Sequence, residues 1–328
     1  MKNKTKGIGL LSGGLDSLLA VKVLQEQDID IIGVTFTTPF FGSEPGIRIC
    51  PTTGITLHVT DIGEKHLKML RNPVYGYGSQ MNPCIDCHAL MIREAGRLME
   101  SEGADFIFTG EVLGQRPMSQ RRDSLRSVEN LAGYPGRVLR PLSAKLLTPT
   151  IAEVQGLIDR EKLLDIQGRS RKRQVALAGH YAIRDYPQPG GGCMLTNEGF
   201  AARLKELFRS YPEASLREVK AIKWGRYFRL PAGNVCLIGR NQSDNEKLEL
   251  LATSDDLMAR ARDYPGPVGL LLSPSLVGED LDLAARLVAA YSDAPSEAMV
   301  EVEWEHEGKS GIVVARRTAR DDFRQYLV

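Results

Sequence analysis

Residues 10–17 read Leu-Leu-Ser-Gly-Gly-Leu-Asp-Ser, and this octapeptide constrains the fold more tightly than any other part of the chain. A short apolar run from Gly7 to Leu11 leads into it, and Leu15, Leu18, Leu19, Val23 and Leu24 follow at helical spacing toward Gln27. The pattern is strand, glycine turn, helix. Further strands are expected at Ile29 to Thr37, Ile55 to Val59 and Ala104 to Thr109, with a helix from His88 to Glu102 ahead of the last. Strands alternating with helices predict an α/β fold with a doubly wound parallel sheet. The turn also carries chemistry. Gly13 and Gly14 let backbone amides approach an anion, the helix N-terminus adds a favourable dipole, and Ser12 and Ser17 can donate hydroxyl hydrogen bonds. No G-K-[ST] ends the loop and the spacing is not G-x-G-x-x-G, which excludes a Walker loop and a dinucleotide fingerprint. The Asp16 carboxylate would repel a bare phosphate, so its position makes sense if Mg²⁺ lies between them.

The 328 residues, 42% of them hydrophobic and 25% charged, can build about two domains. Net charge is only +1, so contact with nucleic acid must come from local basic patches. The apolar run ahead of the glycine turn is too short for an export signal, and no run approaches the ~18 apolar residues of a membrane span. A cytoplasmic protein without a membrane partner is expected, in which cysteines stay reduced. Farther on, Gly133 to Pro141 reads as connecting strand and loop, and Thr148-Pro149 predicts a helix through Arg160. The basic run Gly168 to Arg173 is either a solvated face or an RNA contact. A helix from Glu198 to Tyr211 closes a first domain, 1–212. Residues 213–328 predict a smaller α+β domain, with strands at Ala221 to Leu230, Val235 to Gly239, Val268 to Leu272, Val300 to Trp304 and Ile312 to Ala315, and one amphipathic helix, Asp280 to Tyr291.

The stretch Asn82-Pro83-Cys84-Ile85-Asp86-Cys87-His88 contains C-x-x-C-H. That spacing serves haem attachment, a redox pair, half a zinc site, part of an iron–sulfur site or a sulfur-transferring nucleophile. Cys193 stands behind three glycines in "YPQPGGGCMLT", while Cys50 and Cys236 read as packing residues.

The string Ser12-Gly13-Gly14-Leu15-Asp16-Ser17 resembles the SGG-x-DS loop of the ATP pyrophosphatase superfamily, whose members cleave ATP to AMP and pyrophosphate and commonly adenylate a carbonyl oxygen. The resemblance implies a sheet of the adenine-nucleotide alpha hydrolase type, with ATP and Mg²⁺ as ligands. A second block, Phe108 to Gln120, resembles the TGE-x-LGQ-x-x-x-SQ block of tRNA 4-thiouridine synthetases through Thr109, Gly110, Glu111, Leu113, Gly114, Gln115, Ser119 and Gln120. Arg140-Pro141-Leu142 with Lys145 resembles the R-P-L...K that follows in that family. The implied nucleotide site is Ser12, Gly13, Gly14, Asp16, Ser17, Thr109, Gly110, Glu111 and Gln115. The implied reaction adenylates a uracil carbonyl oxygen in tRNA and replaces it with sulfur, at C4 in preference to C2. Arg116, Arg121, Arg122 and Arg126 can then neutralise RNA phosphates or lie on plain surface.

Cys193 falls about where thiouridine synthetases carry a sulfur-accepting cysteine. Asn82 to Cys87 resembles the N-P-x-x-x-C segment of tRNA 2-thiouridylases, whose closing catalytic cysteine falls on Cys87. The resemblance thus implies Cys87 and Cys193 as the reactive pair, alongside Asp16. With Cys84 there are three thiolates, and Cys84, Cys87 and Cys193 are expected to hold a 4Fe-4S cluster with one iron open to hydrosulfide. A metal-free persulfide and resolving thiol, structural zinc with His88 or His180, and haem are the alternatives.

Val235 to Leu248 and the residues after it resemble the RNA-binding domain of NFACT proteins, through Gly239, Arg240, Asn241, Asn245, Asp256, Leu257, Gly266 and Val268. Arg226, Arg229, Arg240, Arg260 and Arg262, interleaved with Trp224, Tyr227 and Phe228, can pair phosphates and stack bases, or the aromatics fill the core. An RNA-binding region ahead of the loop, as thiouridine synthetases carry, is not expected here, and no sulfur-carrying pattern follows the loop. RNA capture is therefore expected from the C-terminal domain, and sulfur from an external donor, either sulfide or a persulfide-carrying protein. A homodimer is the expected assembly. The rival functions are an ATP-dependent ligase or amidotransferase acting on a small carbonyl compound, and a non-catalytic RNA-binding iron–sulfur protein.

Overall fold

A computed structural model describes residues 4–186, 193–272 and 278–328, except for the side chains of 49–52 and 279. Contacts divide the chain into two compact units, Met1–Met194 and Leu195–Val328.

In the first unit, β1 (Lys6–Leu10), β2 (Asp30–Thr37), β3 (Thr56–Asp61), β4 (Phe106–Thr109) and β5 (Val138–Leu139) form one sheet in the order β3-β2-β1-β4-β5. Every pairing is parallel. The helices are α1 (Leu15–Gln25), α2 (Glu44–Thr53), α3 (Gly63–Arg71), α4 (Cys84–Ser101), α5 (Arg122–Ala132), α6 (Ile151–Val154) and α7 (Lys172–His180). Side chains alternate along each strand, so the two faces bury separate cores. Phe106 and Phe108 join Leu15, Leu18 and Leu19 of α1, whereas Ile107 joins Ile92 and Ala95 of α4 and Val128 of α5. The Phe106 and Phe108 rings close over Gly7 and Gly9, where an added Cβ would lie 2.8 and 2.4 Å from ring carbons. Burying each ring contributes about 1.5–3 kcal/mol.

The helix expected from Thr148 to Arg160 is a single turn. A capping box between Thr150 and Glu153 starts it two residues later than the Thr-Pro signal suggested, and Gly156 at φ +69° ends it. A separate 3-10 turn covers Arg160–Lys162.

The second unit has an antiparallel sheet of β6 (Arg226–Arg229), β7 (Val235–Ile238), β8 (Leu257–Ala261), β9 (Gly269–Leu272), β10 (Met299–His306) and β11 (Lys309–Arg316), in the order β11-β10-β8-β9-β7-β6. Its helices are α8 (Glu198–Ser210), α9 (Leu216–Ala221), α10 (Gln242–Leu251) and α11 (Gly278–Tyr291). Ala284, Leu287 and Val288 of α11 pack with Phe228, Cys236 and Leu271 in its core. By contacts α8 belongs to this unit, so the division falls before it rather than at the expected 212/213. The strand expected from Ala221 begins only at Arg226, because Ser215 and Glu218 form a capping box that makes Leu216–Ala221 helical. α10 was not expected: its few buried positions give little amphipathic signal, and its start is set by Asn241, whose side chain accepts from the Asp244 amide.

Candidate functional site

The loop after β1 lies where the sheet reverses its winding, since β2 and β4 flank β1. Open parallel sheets bind ligands at that crevice, beyond the C-terminal ends of the strands. Gly13 has φ +79°, and a Cβ there would sit 2.2 Å from the Pro45 carbonyl carbon, so the turn accepts only glycine. The loop is tied by its own hydroxyls: the Gly14 amide donates to Ser12 Oγ at 3.4 Å, and Ser17 Oγ donates to the Gly14 carbonyl at 2.7 Å. Ser12 is exposed, whereas the buried Ser17 has its proton engaged in the loop and is less available to a phosphate than the sequence implies.

Asp16 is half-buried in the first turn of α1. Its Oδ2 accepts from Gln115 Nε2 at 3.1 Å, and its Oδ1 is buried without a hydrogen-bond partner among the described residues. Burial pushes the Asp16 pKa up, opposed by the Gln115 hydrogen bond and by Arg171 and Arg116. An orphaned carboxylate oxygen beside an anion loop is costly on its own and suits a Mg²⁺ ion. Asp16 and Ser12 would hold that ion and the phosphates it neutralises. Arg171, at the N-cap of α7, belongs to the basic run that could equally have been solvated surface. Gln174, one turn farther along α7, is fully buried with neither amide atom partnered among the described residues.

Thr109-Gly110-Glu111 leaves the end of β4 directly against this loop. A Cβ on Gly110 would meet the Asp16 carbonyl carbon and the Ser17 amide nitrogen at 2.5 Å each. Glu111 is buried and fully engaged. Its Oε2 accepts from Thr109 Oγ1 and Arg140 Nε, each at 3.0 Å, and its Oε1 lies 2.7 Å from His88 Nδ1. Burial is the largest influence and opposes ionisation, yet Arg140 and then His88 outweigh it and hold the carboxyl at about 2. An ionised carboxylate only accepts, so Nδ1 of His88 carries the proton. Arg140 also donates to Glu129 of α5.

The cysteine segment starts α4 at Cys84, so His88 is an interior helical residue aimed at Glu111 rather than the first residue of the helix. Asn82 Nδ2 donates to Cys84 Sγ at 3.3 Å, and both oxygens of the buried Asp86 accept from the amides of Val74 and Tyr75. Cys84, Cys87 and Cys193 are each half-buried. The Cys87 thiol is pushed up by burial first, then by Cys193, Cys84 and Asp86. The three thiols therefore come close enough to feel one another, across a large sequence gap. Among the described residues, however, no group of three His, Cys, Asp or Glu side chains is arranged to hold a metal ion. The expected iron–sulfur ligation by Cys84, Cys87 and Cys193 finds no support there, and the Glu111 contact engages only Nδ1 of the His88 ring. The glycines ahead of Cys193 lie outside the described residues, and so does the Cys50 side chain; Cys236 is buried in β7 as a packing residue.

Sequence reasoning weighed His88 only as a zinc ligand and left out of the site Arg140, Glu129 and Gln174. Arg140 had a signal in the R-P-L string. The other two become visible only when β4, β5, α4, α5 and α7 are brought together. In the second unit the bland alternative holds for Tyr227 and Phe228, which are 1% exposed. Arg229, Arg240, Arg260 and Arg262 pair with Glu206, Asp244, Glu249 and Glu301.

Fold and loop define a doubly wound α/β protein with an anion-binding glycine turn at its switch point, joined to an antiparallel α+β unit. Residues 225–327 match the family described as NFACT protein RNA binding domain. The tRNA-specific 2-thiouridylase MnmA of Syntrophotalea carbinolica is 36% identical over 129 residues, which cover 34% of this chain and 36% of that protein. The same enzyme from Agrobacterium fabrum is 25% identical over 161 residues, covering 43% of this chain and 37% of that protein. The chain thus spans little more than a third of the length of these curated relatives. The C-terminal part of the fibronectin/fibrinogen-binding protein from Streptococcus suis aligns with 48% of this chain and 72% of its own at 18% identity, with a TM-score of 0.29, too low to argue from. In glycine loop and sheet order the chain is similar to the ATP pyrophosphatase (PP-loop) superfamily and over part of its length to tRNA 2-thiouridylases, and its residues 225–327 are similar to the NFACT protein RNA binding domain. The relatives are named for position 2 of uridine, and nothing in them supports the expected preference for C4. Among the described residues no helix is long and apolar enough to cross a membrane.

Proposed function

We propose that the protein is an ATP-dependent tRNA uridine sulfurtransferase acting at C2. The observation that carries this reading is the single junction at Thr109-Gly110-Glu111. Gly110 abuts the glycine loop, while Glu111 holds His88, the residue after Cys87. A loop suited to ATP and a helix bearing two thiols are referenced to the same tripeptide.

In the proposed reaction the uracil carbonyl oxygen attacks the α-phosphorus of ATP and pyrophosphate leaves. The loop amides and Ser12 position the phosphates, Asp16 would hold Mg²⁺, which would neutralise them, and Arg116 and Arg171 oppose the growing negative charge. The oxygen is then part of an AMP leaving group. A terminal persulfide sulfur on one of Cys87 and Cys193 attacks the carbon and AMP departs with the oxygen. The other thiol attacks the inner sulfur, releasing the thiocarbonyl and leaving a Cys87–Cys193 disulfide for an external dithiol to reduce. The burial that keeps Cys87 protonated means that a base or an incoming charge must activate it.

The test uses the full chain with ATP, a persulfide donor and unmodified tRNA, with nucleoside mass spectrometry as readout. Accumulation of 2-thiouridine is expected. Cys87→Ala and Cys193→Ala should each abolish it while ATP–pyrophosphate exchange persists. An anaerobic absorption spectrum of the active protein separates persulfide transfer from an iron–sulfur route. Exchange that depends on a small metabolite and is indifferent to tRNA would sink the proposal.

A further inference from the structure

Most arginines of the second unit have a carboxylate partner: Arg217 has Asp256, Arg229 has Glu206, Arg260 has Glu249 and Arg262 has Glu301. One group departs from this pattern. Arg226 of β6 and Arg320, in the 3-10 turn Arg320–Tyr326, both lie over the ring of Tyr291 at the end of α11, with Cζ 4.6 and 5.0 Å from its centroid. Among the described residues neither has a carboxylate partner. Arg226 Nη1 donates to the Gly239 carbonyl at 3.3 Å and Arg320 Nε to that of Ala290 at 3.4 Å. Among the described residues Arg203 of α8 donates only to the carbonyls of Gly199 and Gly225, at 3.1 and 3.5 Å. Arg240 is the one member with an acid, Asp244.

These guanidiniums influence one another. The Arg226 pKa is lowered by burial and then by Arg320 and Arg240, against the help of Tyr291 and Asp244; that of Arg203 is lowered by burial and by Arg240, against Asp244. Four cations thus share a single carboxylate, held in place by a ring face and by backbone carbonyls. Like charges gathered and partly desolvated are unfavourable until an anion arrives, and cation–π contacts and carbonyl hydrogen bonds fix them without neutralising them. Planar guanidinium donors match phosphate oxygens in pairs. Three of the four cations, and Tyr291, lie inside the stretch matching the RNA binding domain.

We propose that Arg203, Arg226, Arg240 and Arg320, the second and fourth of them seated on the Tyr291 ring, form a cradle for the phosphodiester backbone of RNA. This rests on the RNA-binding character of the domain and not on the thiolation chemistry. The acid-paired arginines, by contrast, contribute surface charge without gripping the backbone.

The test measures the affinity of the full chain for unmodified tRNA across a salt series, without ATP or sulfur donor, so that it stands apart from any failure of thiolation. Each lost phosphate contact should lower the slope of log K against log salt by roughly 0.7–0.9. Arg226→Ala/Arg320→Ala should lower it by about 1.4–1.8 and weaken binding roughly tenfold or more at moderate salt. Arg229→Ala/Arg262→Ala, which removes the same formal charge from acid-paired sites, should change it little. Arg320→Gln, at an exposed position, provides a single variant expected to fold even if the double variant does not, with a slope change near 0.7–0.9. Unchanged slope and affinity in Arg320→Gln and the cradle double variant would overturn the proposal, and so would an equal loss in the Arg229/Arg262 control. Inorganic phosphate at constant ionic strength should compete no better than chloride; specific competition would assign the cradle to a free phosphate ligand and likewise overturn it.

Discussion

Replacing Gly110 with alanine adds one methyl group at the contact between the β4 end and the glycine loop. The new Cβ would lie 2.5 Å from the Asp16 carbonyl carbon, 2.5 Å from the Ser17 amide nitrogen and 2.7 Å from the Asp16 carbonyl oxygen. Ordinary contact begins near 3.4 Å, so the two backbones must separate by about 1 Å, and neither is a flexible side chain that can turn away. Overpacking of this kind costs about 1–3 kcal/mol of stability. The functional loss should be larger than that cost suggests, because a displacement of about 1 Å in a positioned reactant can lower the rate by about 100-fold. ATP–pyrophosphate exchange should therefore fall by about two orders of magnitude in Gly110→Ala, while the tRNA affinity proposed for the second unit stays near wild type. Gly179→Ala is the matched control. It sits in α7 with nothing within 4 Å of the new Cβ, and alanine is the better helix former there. Exchange within twofold of wild type in folded Gly110→Ala would refute the idea that this contact seats the nucleotide loop.

Two further predictions concern buried titrating groups. Glu111→Gln leaves the buried Arg140 with only Glu129 as a carboxylate partner, so urea unfolding at neutral pH should show a loss of about 3–5 kcal/mol. The Glu111 carboxyl is held at about 2, below its unfolded value, so its stabilisation is complete above the ordinary carboxylate range and disappears as pH falls toward 2. Acid unfolding of Glu111→Gln should lack that part of the decline, and an identical acid limb in both proteins would disprove the assignment. His66, fully buried between Phe40 and Phe41, has its pKa lowered to about 4 by burial. The unfolded chain takes up this proton near 6.5, so stability should decline between about pH 6.5 and 4 by about 3 kcal/mol. His66→Phe should abolish that component if it folds. If the slope between those pH values is the same in both proteins, His66 is not its source.

The first unit was largely legible because its elements announce themselves locally. Leu15, Leu18 and Leu19 fix the helical face that α1 turns to the sheet, and Gly13-Gly14 marks the turn ahead of it. What escaped depends on partners distant in sequence. His88 follows a cysteine motif and invites reading as a metal ligand, yet its role is set by Glu111, which reaches it only when β4 lies near α4. The basic run ending at Arg173 has no local feature that separates Arg171, which influences Asp16, from Arg173, which pairs with Asp165 in solvent. The C-terminal arginines show the same limit. Arg229 and Arg226 stand three residues apart on one strand, but one meets Glu206 and the other a tyrosine ring. Composition and spacing locate the positive charge, and the fold decides which charges are already neutralised.

The state of Glu111 bears on which groups in the proposed reaction can move protons. Held at about 2, it is ionised throughout the neutral range, so it can neither donate a proton nor serve as an effective base. Its contribution must be positional, despite lying between the nucleotide loop and the thiol helix. Each oxygen is committed, Oε2 to Thr109 and Arg140 and Oε1 to His88. The charge of Arg140 is in turn shared with Glu129 on α5. β4, β5, α4 and α5 are thereby locked at one point, and Gly110 transmits that register to α1 through backbone contact alone. Proton transfer during sulfur delivery then falls to groups left less committed. The Cys87 thiol is one, whereas the Asp16 carboxylate, with one oxygen unpartnered among the described residues, serves the metal in the proposed reaction. The arrangement divides the labour between a rigid ionised centre that fixes distances and a surrounding set of groups whose protonation changes when substrate and metal arrive.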